Sequence, residues 1–191
     1  MNELYFKEVY DGLQKTIVTL NGKEVSLAQG VETWIDRARK VQEEGHLMFF
    51  CGNGASCTMA EHMSHDWFQN GKVNTYTVSE TAHITAISND VSYDDVFAYR
   101  IERILKESDI LVTISSSGNS PNVVRAIEEA KKKGAFVVTV SGKGADNKSR
   151  KMGDLCFYVP LDTYGLVESS HAVLLHAVLD EFLEKYMGGR H

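Results

Sequence analysis

Proline and paired cysteines are scarce in this sequence. Only two prolines occur in 191 residues, and because proline interrupts helices, their scarcity favours long ones. The cysteines are odd in number and form no C-x-x-C pair: Cys51, Cys57 and Cys156. We therefore expect no disulfide framework, and a reducing cytoplasm is the predicted location.

Long apolar runs and an excess of positive charge are also missing. No apolar run approaches the roughly 18 residues that a membrane span needs, and the first residues are too polar for a signal peptide. The net charge of −6 argues against nucleic acid as the main partner, because a protein that binds the phosphate backbone needs a basic surface. A small anion stays possible, since a pocket can be locally positive on an acidic protein. We expect a soluble protein that binds neither membrane nor nucleic acid.

Five short apolar segments alternate with helical stretches after residue 45. We expect helices at about 56–70, 94–107 and 121–133, and a last helix at about 167–186. Continuous apolar strands that alternate with helices are typical of a parallel sheet covered on both faces. The predicted strands are 46–51, 74–78, 110–114, 135–140 and 155–159.

Residues 1–45 follow a different pattern. Apolar residues recur at helical spacings from Leu4 to Ile17 and from Val31 to Val41, and Asn21-Gly22 is a plausible break between two amphipathic helices. We therefore predict an α/β protein that is a single domain over residues 1–191. It would have N-terminal helices in 1–45, and in 46–191 a three-layer α/β/α sandwich with a five-stranded parallel sheet and a C-terminal helix.

The strongest functional signal is the serine-rich turn Ser115–Ser120 (SSSGNS) after the third predicted strand. In open parallel sheets, ligands bind beyond the carboxyl ends of the strands. The turn supplies four hydroxyl donors, and Asn119 or Ser120 can cap the helix that Pro121 begins. The free N–H groups of that helix would then point at an anion. The turn predicts a phosphate cradle; the alternative is an ordinary helix cap in a serine-rich loop.

Neither polar turn matches a nucleotide-binding motif. The Ser115–Ser120 turn lacks the Lys-Ser/Thr ending of a P-loop. The turn Gly52–Ser56, after the first predicted strand, is followed by Cys57 where a dinucleotide fingerprint needs a third glycine or alanine. We therefore expect no nucleotide cofactor.

Histidine and carboxylate side chains occur on two of the predicted helices. His62 and Asp66 are four residues apart and share a face, so they can bind a metal or supply an acid and a base, although a surface pair is commoner. His171 and His176 lie in an apolar stretch, where burial with a hydrogen-bond partner is the alternative role. Glu168 and His176 are about 12 Å apart along an ideal helix. They reach one ligand only through long side chains, an irregular helix start or a second subunit, so we hypothesise a site at a subunit interface.

Together these motifs resemble the sugar isomerase (SIS) family, and most of all its bacterial phosphoheptose isomerases. The likeness rests on Gly52–Ser56, on His62 with an acid four residues later, on the serine turn and on the His-x4-His of the last helix. The segment 83–90 (HITAISND) also matches the family. The resemblance covers nearly the whole chain.

The resemblance implies a homotetramer with its sites between subunits, a divalent metal, zinc, and a role in heptose biosynthesis for lipopolysaccharide or capsule. It also implies a set of site residues. The substrate pocket would contain Asn53, Gly54, Ala55, Ser56, Asn89 and Asp90, with Glu168. The phosphate would be held by Ser115, Ser116, Ser117 and Ser120. The zinc and catalytic positions would be His62, Asp66, Glu168 and His176.

Three departures from the family's pattern concern the sugar end of the site. Asp66 stands where the family has its proposed base, a glutamate, and Glu168 stands where the family has glutamine. Gly165-Leu166 replaces an Asp-Arg pair. The far wall of the pocket is therefore expected to differ from the family's, which leaves the identity of the sugar open.

We predict an aldose–ketose isomerase that converts sedoheptulose 7-phosphate to D-glycero-D-manno-heptose 7-phosphate through an enediol. Asp66 is the candidate base, with Glu168 as its rival, and His176 is the candidate acid. One alternative is an isomerase of another sugar phosphate. The other is a non-catalytic SIS protein that binds a sugar phosphate or the replication initiator protein. The presence of His62, Asp66 and His176 favours the enzyme, because a pure binder has no need for this set.

Overall fold

Helices and strands alternate along residues 3–190, which are the residues that the computed structural model describes. The helices are α1 (Glu3–Gln14), α2 (Leu27–Glu44), α3 (Ala55–Gln69), α4 (Thr81–Asp90), α5 (Ala98–Ile104), α6 (Pro121–Lys132), α7 (Lys148–Met152) and α8 (Tyr164–Tyr186). A 3₁₀ turn occupies Tyr93–Asp95. The strands are β1 (Ile17–Leu20), β2 (Lys23–Val25), β3 (Met48–Gly52), β4 (Thr75–Thr77), β5 (Ile110–Ser115), β6 (Phe136–Gly142) and β7 (Leu155–Val159).

All of these strands belong to one sheet in the order β2-β1-β7-β6-β5-β3-β4. The five strands from β3 to β7 are mutually parallel and correspond to the five predicted segments. The predicted number of strands is nevertheless wrong, because the sheet has seven. The two additional strands, β1 and β2, form an antiparallel hairpin that adds to β7.

The hairpin lies where the sequence pattern predicted two helices joined by a break. Ile17 begins a strand rather than ending a helix, and β-branched Ile17 and Val18 favour that conformation. Asn21 and Gly22 have φ angles of 48° and 77°. Positive φ at both central residues is what a two-residue hairpin turn requires, and Asn-Gly is its preferred sequence. The Asn21-Gly22 signal therefore marks a hairpin turn.

The helices differ from the prediction in four places, one of which is the short helix α7, for which no helix was predicted. The predicted helix 94–107 consists of the 3₁₀ turn followed by the short helix α5. Helix α4 covers the segment 81–90, for which no helix was predicted. Helix α8 begins at Tyr164 rather than near Val167, because the Thr163 side chain accepts a hydrogen bond from the N–H of Leu166 and caps the helix.

Two buried clusters, one on each face of the sheet, confirm the three-layer sandwich. One cluster joins the apolar sides of α2, α3 and α8 to β-strand residues such as Phe50, Val112 and Phe157. The other joins α4, α5 and α6 to Phe49, Leu111 and Val137. Neighbouring strand residues thus point to opposite layers. Within residues 3–190, no helix is both long enough and apolar enough to cross a membrane.

Candidate functional site

A cavity of about 300 Å³ opens where β3 and β5 end side by side at the carboxyl edge of the sheet. The turn that follows each strand contributes to its wall, and so does the first turn of α8. Its lining residues are Asn53, Gly54, Ala55, Ser56, Ser115, Ser116, Ser117, Ser120, Tyr164 and Glu168. Nine of these ten residues are among those expected at the site, and Tyr164 is the addition.

The serine turn is held in shape by hydrogen bonds within and behind it. The N–H of Gly118 donates to the Ser115 hydroxyl at 3.2 Å, and the N–H of Asn119 donates to the Ser117 hydroxyl at 3.2 Å. Gly118 has a φ of +62°, and a Cβ there would lie 2.1 Å from Oδ1 of Asn147. Only glycine fits this position, because both the backbone conformation and the space exclude a side chain. The turn therefore has one defined conformation, in which it packs against the loop that precedes α7.

Two helix N-termini face the cavity without side-chain caps. Ser120 is the N-cap of α6 and Gly54 is the N-cap of α3, and neither N-cap residue accepts a hydrogen bond from its helix through a side chain. Pro121 stands at the first position of α6, where its missing N–H costs nothing. The Ser120 hydroxyl stays available to a ligand. Uncapped helix N-termini are suited to anions, since their N–H groups and the helix dipole both favour negative charge.

A reciprocal pair of side-chain amides lies beside the cradle. Asn53 Nδ2 donates to Asn122 Oδ1 at 2.9 Å, and Asn122 Nδ2 donates to Asn53 Oδ1 at 2.9 Å. The Tyr93 hydroxyl donates a further hydrogen bond to Asn53 Oδ1, at 3.1 Å. The pocket residue Asn53 is thereby connected to the buried Asn122 and to the 3₁₀ turn.

The first turn of α8 forms the wall opposite these turns. Glu168 accepts a weak hydrogen bond from the Ser116 hydroxyl at 3.4 Å, so a carboxylate lies next to the cradle. Tyr164 is exposed on the same wall, and the ammonium of Lys143 lies 3.7 Å from the centre of its ring. Tyr164 directly precedes Gly165-Leu166, where the far wall is expected to differ from the family's.

The remaining catalytic candidates lie farther along α3 and α8. His62 Nε2 is 3.3 Å from Asp66 Oδ2, and the rings of His62 and His176 are 5.2 Å apart between centroids. The ligand atoms of these three residues all lie within 4.8 Å of one another. Glu168 does not belong to this group, because it lies two turns nearer the start of α8, in the pocket wall. The four predicted metal ligands are thus divided between two neighbouring places.

The His62–Asp66–His176 group fits a divalent metal. Two imidazoles and one carboxylate are the kind of ligand set that catalytic zinc uses, with a further position left for a substrate or water oxygen. Two ligands of tetrahedral zinc are separated by about 3.3 Å, which is the separation of His62 and Asp66. Both histidines are exposed, so small side-chain rotations can bring all three donors to one ion.

Asn89 and Asp90 lie outside the cavity that the other site residues line. They form the exposed end of α4, where Asn89 Nδ2 donates to Asp90 Oδ1 at 2.8 Å. Their participation in the site stays a prediction. The 3₁₀ turn immediately after them carries Tyr93, which does reach a pocket residue.

Three residues near the site were missed by reasoning from the sequence: Tyr93, Asn122 and Tyr164. Asn122 is 69 positions from its partner Asn53 and carries no motif of its own beyond its place after Ser120-Pro121. Tyr164 directly precedes Gly165-Leu166, which departs from the family's pattern. That departure is the sequence signal that could have pointed to Tyr164.

Comparison with known proteins agrees with this architecture. The sequence profile of the SIS domain family matches residues 8–142. A phosphoheptose isomerase of Nitratidesulfovibrio vulgaris is 33% identical over 161 residues, which cover 78% of this chain and 77% of that protein. A second one, from Helicobacter pylori strain P12, is 30% identical and covers 89% of this chain and 88% of its own length. The chain belongs to the phosphoheptose isomerase family of SIS-domain proteins.

A solved structure of the family has the same fold. The phosphoheptose isomerase from Neisseria gonorrhoeae superimposes with a TM-score of 0.80 at 26% identity, over 94% of this chain and 96% of that one. The agreement extends over both layers of helices, so the whole SIS sandwich is shared. The residues that this chain places around the cradle and the histidine group therefore belong to an isomerase architecture.

Proposed function

We propose that this protein is an aldose–ketose isomerase of a phosphorylated sugar, which converts sedoheptulose 7-phosphate to D-glycero-D-manno-heptose 7-phosphate through an enediol. The observation that carries this proposal is the single cavity that combines the serine cradle with the Glu168 carboxylate. The relatives of this chain are phosphoheptose isomerases, which supports both the substrate class and the reaction type.

The phosphate end of the substrate binds to the serine turn. The hydroxyls of Ser115, Ser116, Ser117 and Ser120 and the N-terminus of α6 supply donors, and hydrogen bonds to a charged group are worth about 1.5–3 kcal/mol each. No lysine or arginine is needed for this part of the site, because the helix N-terminus provides the positive end of a dipole. Asn53, Gly54, Ala55 and Ser56 contact the adjoining part of the sugar, and Asn89 and Asp90 approach it from the end of α4.

Isomerisation requires two proton movements. A carboxylate removes the proton from the carbon next to the carbonyl and returns it to the neighbouring carbon, and an acid moves a proton between the two oxygens. Asp66 is the candidate base and Glu168 its rival; Asp66 lies beside the two histidines, whereas Glu168 lies in the pocket wall. His176 serves the oxygens.

A divalent metal, which we infer to be zinc, would be held by His62, Asp66 and His176, with Glu168 as the further candidate ligand. When bound, such an ion polarises carbonyl and hydroxyl oxygens. In that state His62 is mainly a ligand.

We also infer that the protein is a homo-oligomer, a tetramer as in the resemblance, and that it works in the cytoplasm. The three cysteines are unpaired, which supports a reducing compartment.

The proposal is tested by incubating the purified protein with sedoheptulose 7-phosphate, and separately with pentulose and hexulose phosphates, before and after chelation. We expect the heptulose phosphate to give an aldose product and chelation to reduce the rate. Turnover of a pentulose or hexulose phosphate, without turnover of the heptulose phosphate, would support the alternative that the protein is an isomerase of another sugar phosphate. Tight binding without product from any of them would identify a regulatory binding protein and contradict the isomerase.

The two carboxylates are distinguished by isosteric substitution. Asp66→Asn removes the base and is expected to lower kcat by about 10²–10⁴-fold. Glu168→Gln restores the residue that the family has at this place and is expected to retain most of the activity. The reverse result would assign the proton transfer to Glu168.

A further inference from the structure

The side-chain amide of Asn53 has a defined orientation, which can be traced from the backbone. The main-chain N–H of Val123 is an unambiguous donor, and it donates to Asn122 Oδ1 at 3.0 Å. The other end of the Asn122 amide is therefore its NH₂ group, which donates to Asn53 Oδ1. The NH₂ group of Asn53 must then point the opposite way and donate to Asn122 Oδ1.

This arrangement leaves one hydrogen-bonding group of the Asn53 side chain without a protein partner among the described residues. Its oxygen has two lone pairs, which accept from Asn122 Nδ2 and from the Tyr93 hydroxyl. Its nitrogen carries two hydrogens, of which one is donated to Asn122. One N–H remains, and it belongs to a residue that lines the cavity. The remaining N–H of Asn53 can therefore donate a hydrogen bond to an oxygen of a bound ligand.

Both partners of Asn53 are held by the same helix. Asn122 lies in the first turn of α6 and is 1% exposed. One turn later, Arg125 binds Asp95 at 2.6 Å, and the Ser92 hydroxyl donates to the same carboxylate at 2.6 Å. These contacts lower the pKa of Asp95, the Ser92 hydrogen bond first and Arg125 second. They fasten the 3₁₀ turn that carries Tyr93 to α6.

We propose that Asn122 and Tyr93 are positioning residues, which fix the Asn53 amide so that its remaining N–H is presented to an oxygen of the sugar phosphate. The inference rests on the proposed function for the identity of that ligand. Asn53 lies at the cradle end of the cavity, whereas His62 lies seven residues into α3 from its start, about 10 Å along the helix axis. The contact therefore forms with bound substrate and persists through the reaction, and such uniform binding lowers KM without changing kcat.

The first test is kinetic and uses Tyr93→Phe, because Tyr93 is exposed and its hydroxyl can be removed without affecting the core. We expect KM for sedoheptulose 7-phosphate to rise roughly three- to tenfold, the equivalent of one neutral hydrogen bond, with kcat changed by less than about twofold. Tyr99→Phe is the matched control, since in the described residues the Tyr99 hydroxyl makes no hydrogen bond and α5 does not line the cavity.

A double-mutant cycle separates positioning from a merely structural effect. In an Asn53→Ala background, Tyr93→Phe has no amide left to orient, so we expect its effect on KM to disappear. An equal loss in both backgrounds, a loss confined to kcat, or no loss in either would overturn the proposal.

The second test does not depend on turnover. In the ¹⁵N–¹H spectrum of deuterated protein, the side-chain NH₂ pair of Asn53 is identified by its loss in Asn53→Ala. We expect Tyr93→Phe and Asn122→Asp to shift this pair, and Tyr99→Phe to leave it in place. An unshifted pair in Tyr93→Phe would overturn the positioning role even if the protein is an active isomerase. A shifted pair in a protein that turns over no sugar phosphate would contradict the proposed function and retain the positioning role.

Discussion

His176 is the histidine whose removal should separate catalysis from binding. It lies on α8 beside His62, whereas the serines proposed to hold the phosphate lie at the end of β5 and in the turn before α6. His176→Ala is therefore expected to lower kcat by about 10²–10⁴-fold and to leave the dissociation constant for the sugar phosphate nearly unchanged, as measured by product formation and by calorimetry.

His65→Ala is the control for that substitution. His65 is exposed on α3, one turn from His62, and it is outside the group that could hold a metal. The variant should retain wild-type turnover. Undiminished turnover in His176→Ala itself would remove His176 from the mechanism.

His171, on the same helix, should instead control the dependence of stability on pH. It is completely buried, and neither ring nitrogen has a hydrogen-bond partner among the described residues. Desolvation lowers its pKa to about 4, an effect that the nearby main chain of Ser141 opposes only in part, without a well-formed hydrogen bond. As the pH falls below 6.5, His171 is protonated in the unfolded chain but not in the folded one. Its contribution to the free energy of unfolding is therefore complete above pH 6.5 and is lost as the pH falls toward 4.

The loss from His171 should amount to something on the order of 3 kcal/mol over that range. Urea unfolding at pH 7.5 and at pH 5, where about 2 kcal/mol of this loss should have occurred, measures it with His171→Leu as the comparison. The variant cannot charge, so the free energy of unfolding of the wild type should fall more steeply than that of the variant. Parallel curves for the two proteins would show that His171 titrates normally in the folded state.

At the scale of helices, two serine N-caps should behave in opposite ways. Ser26 caps α2 through a complete capping box with Gln29, whereas the Ser120 hydroxyl makes no hydrogen bond to α6. Ser26→Ala should lower the free energy of unfolding by about 0.5–2 kcal/mol and leave phosphate binding unaffected. Ser120→Ala should leave stability nearly unchanged and weaken phosphate binding roughly tenfold or more, because a hydrogen bond to a charged group is lost.

The two Ser→Ala variants control for each other in thermal unfolding and in titration with inorganic phosphate. A destabilised Ser120→Ala with an unaltered dissociation constant would mean that the serine is an ordinary helix cap. That was the alternative role that the sequence left open.

Elements with a strong local pattern could be predicted from the sequence, and elements defined by their partners could not. The parallel strands were found because segments such as Ile110–Ile114 are continuously apolar and β-branched. Helix α4 was missed because Ile87 is its only buried residue, which leaves almost no periodic signal. The hairpin was missed because Asn21-Gly22, its local turn signal, was interpreted as a break between two helices. The pairing of Ile17–Leu20 with β7, a contact across more than 130 residues, is not encoded by any spacing in the sequence.

The same distinction applies to the site. The place of the serine turn at the cavity was predictable because its serines, glycine and helix cap are consecutive residues. The pairing of Asn53 with Asn122 depends on two strands ending side by side and on the orientation of two amides. No spacing in the sequence encodes that arrangement.

At the scale of the whole molecule, apolar side chains on the surface support the proposed assembly. Helix α1 exposes Phe6 and Tyr10 at 61% each. A groove between α2 and α8 is lined by Leu27, Val31 and Ile35 together with the charged Glu32, Glu181 and Lys185. Large exposed apolar side chains are a feature of protein interfaces. Helix α1 also contacts the pocket wall, since the Tyr5 hydroxyl lies 3.2 Å from the Ser169 hydroxyl, next to Glu168.

An assembly through α1 would therefore fix the position of the α8 wall relative to the cradle, and loss of the assembly should reduce both mass and activity. Wild-type protein is expected to sediment at about four times the chain mass of 21.3 kDa. Phe6→Glu places a charge in the apolar surface of α1 and should yield smaller species with a raised KM. Lys132→Glu places a glutamate on α6, in the opposite layer, where it breaks only a surface ion pair with Glu129, and it should retain both mass and turnover. A wild-type monomer with full activity would contradict a site shared between subunits. Glu168 and the His62–Asp66–His176 group of the same chain would then have to reach one substrate.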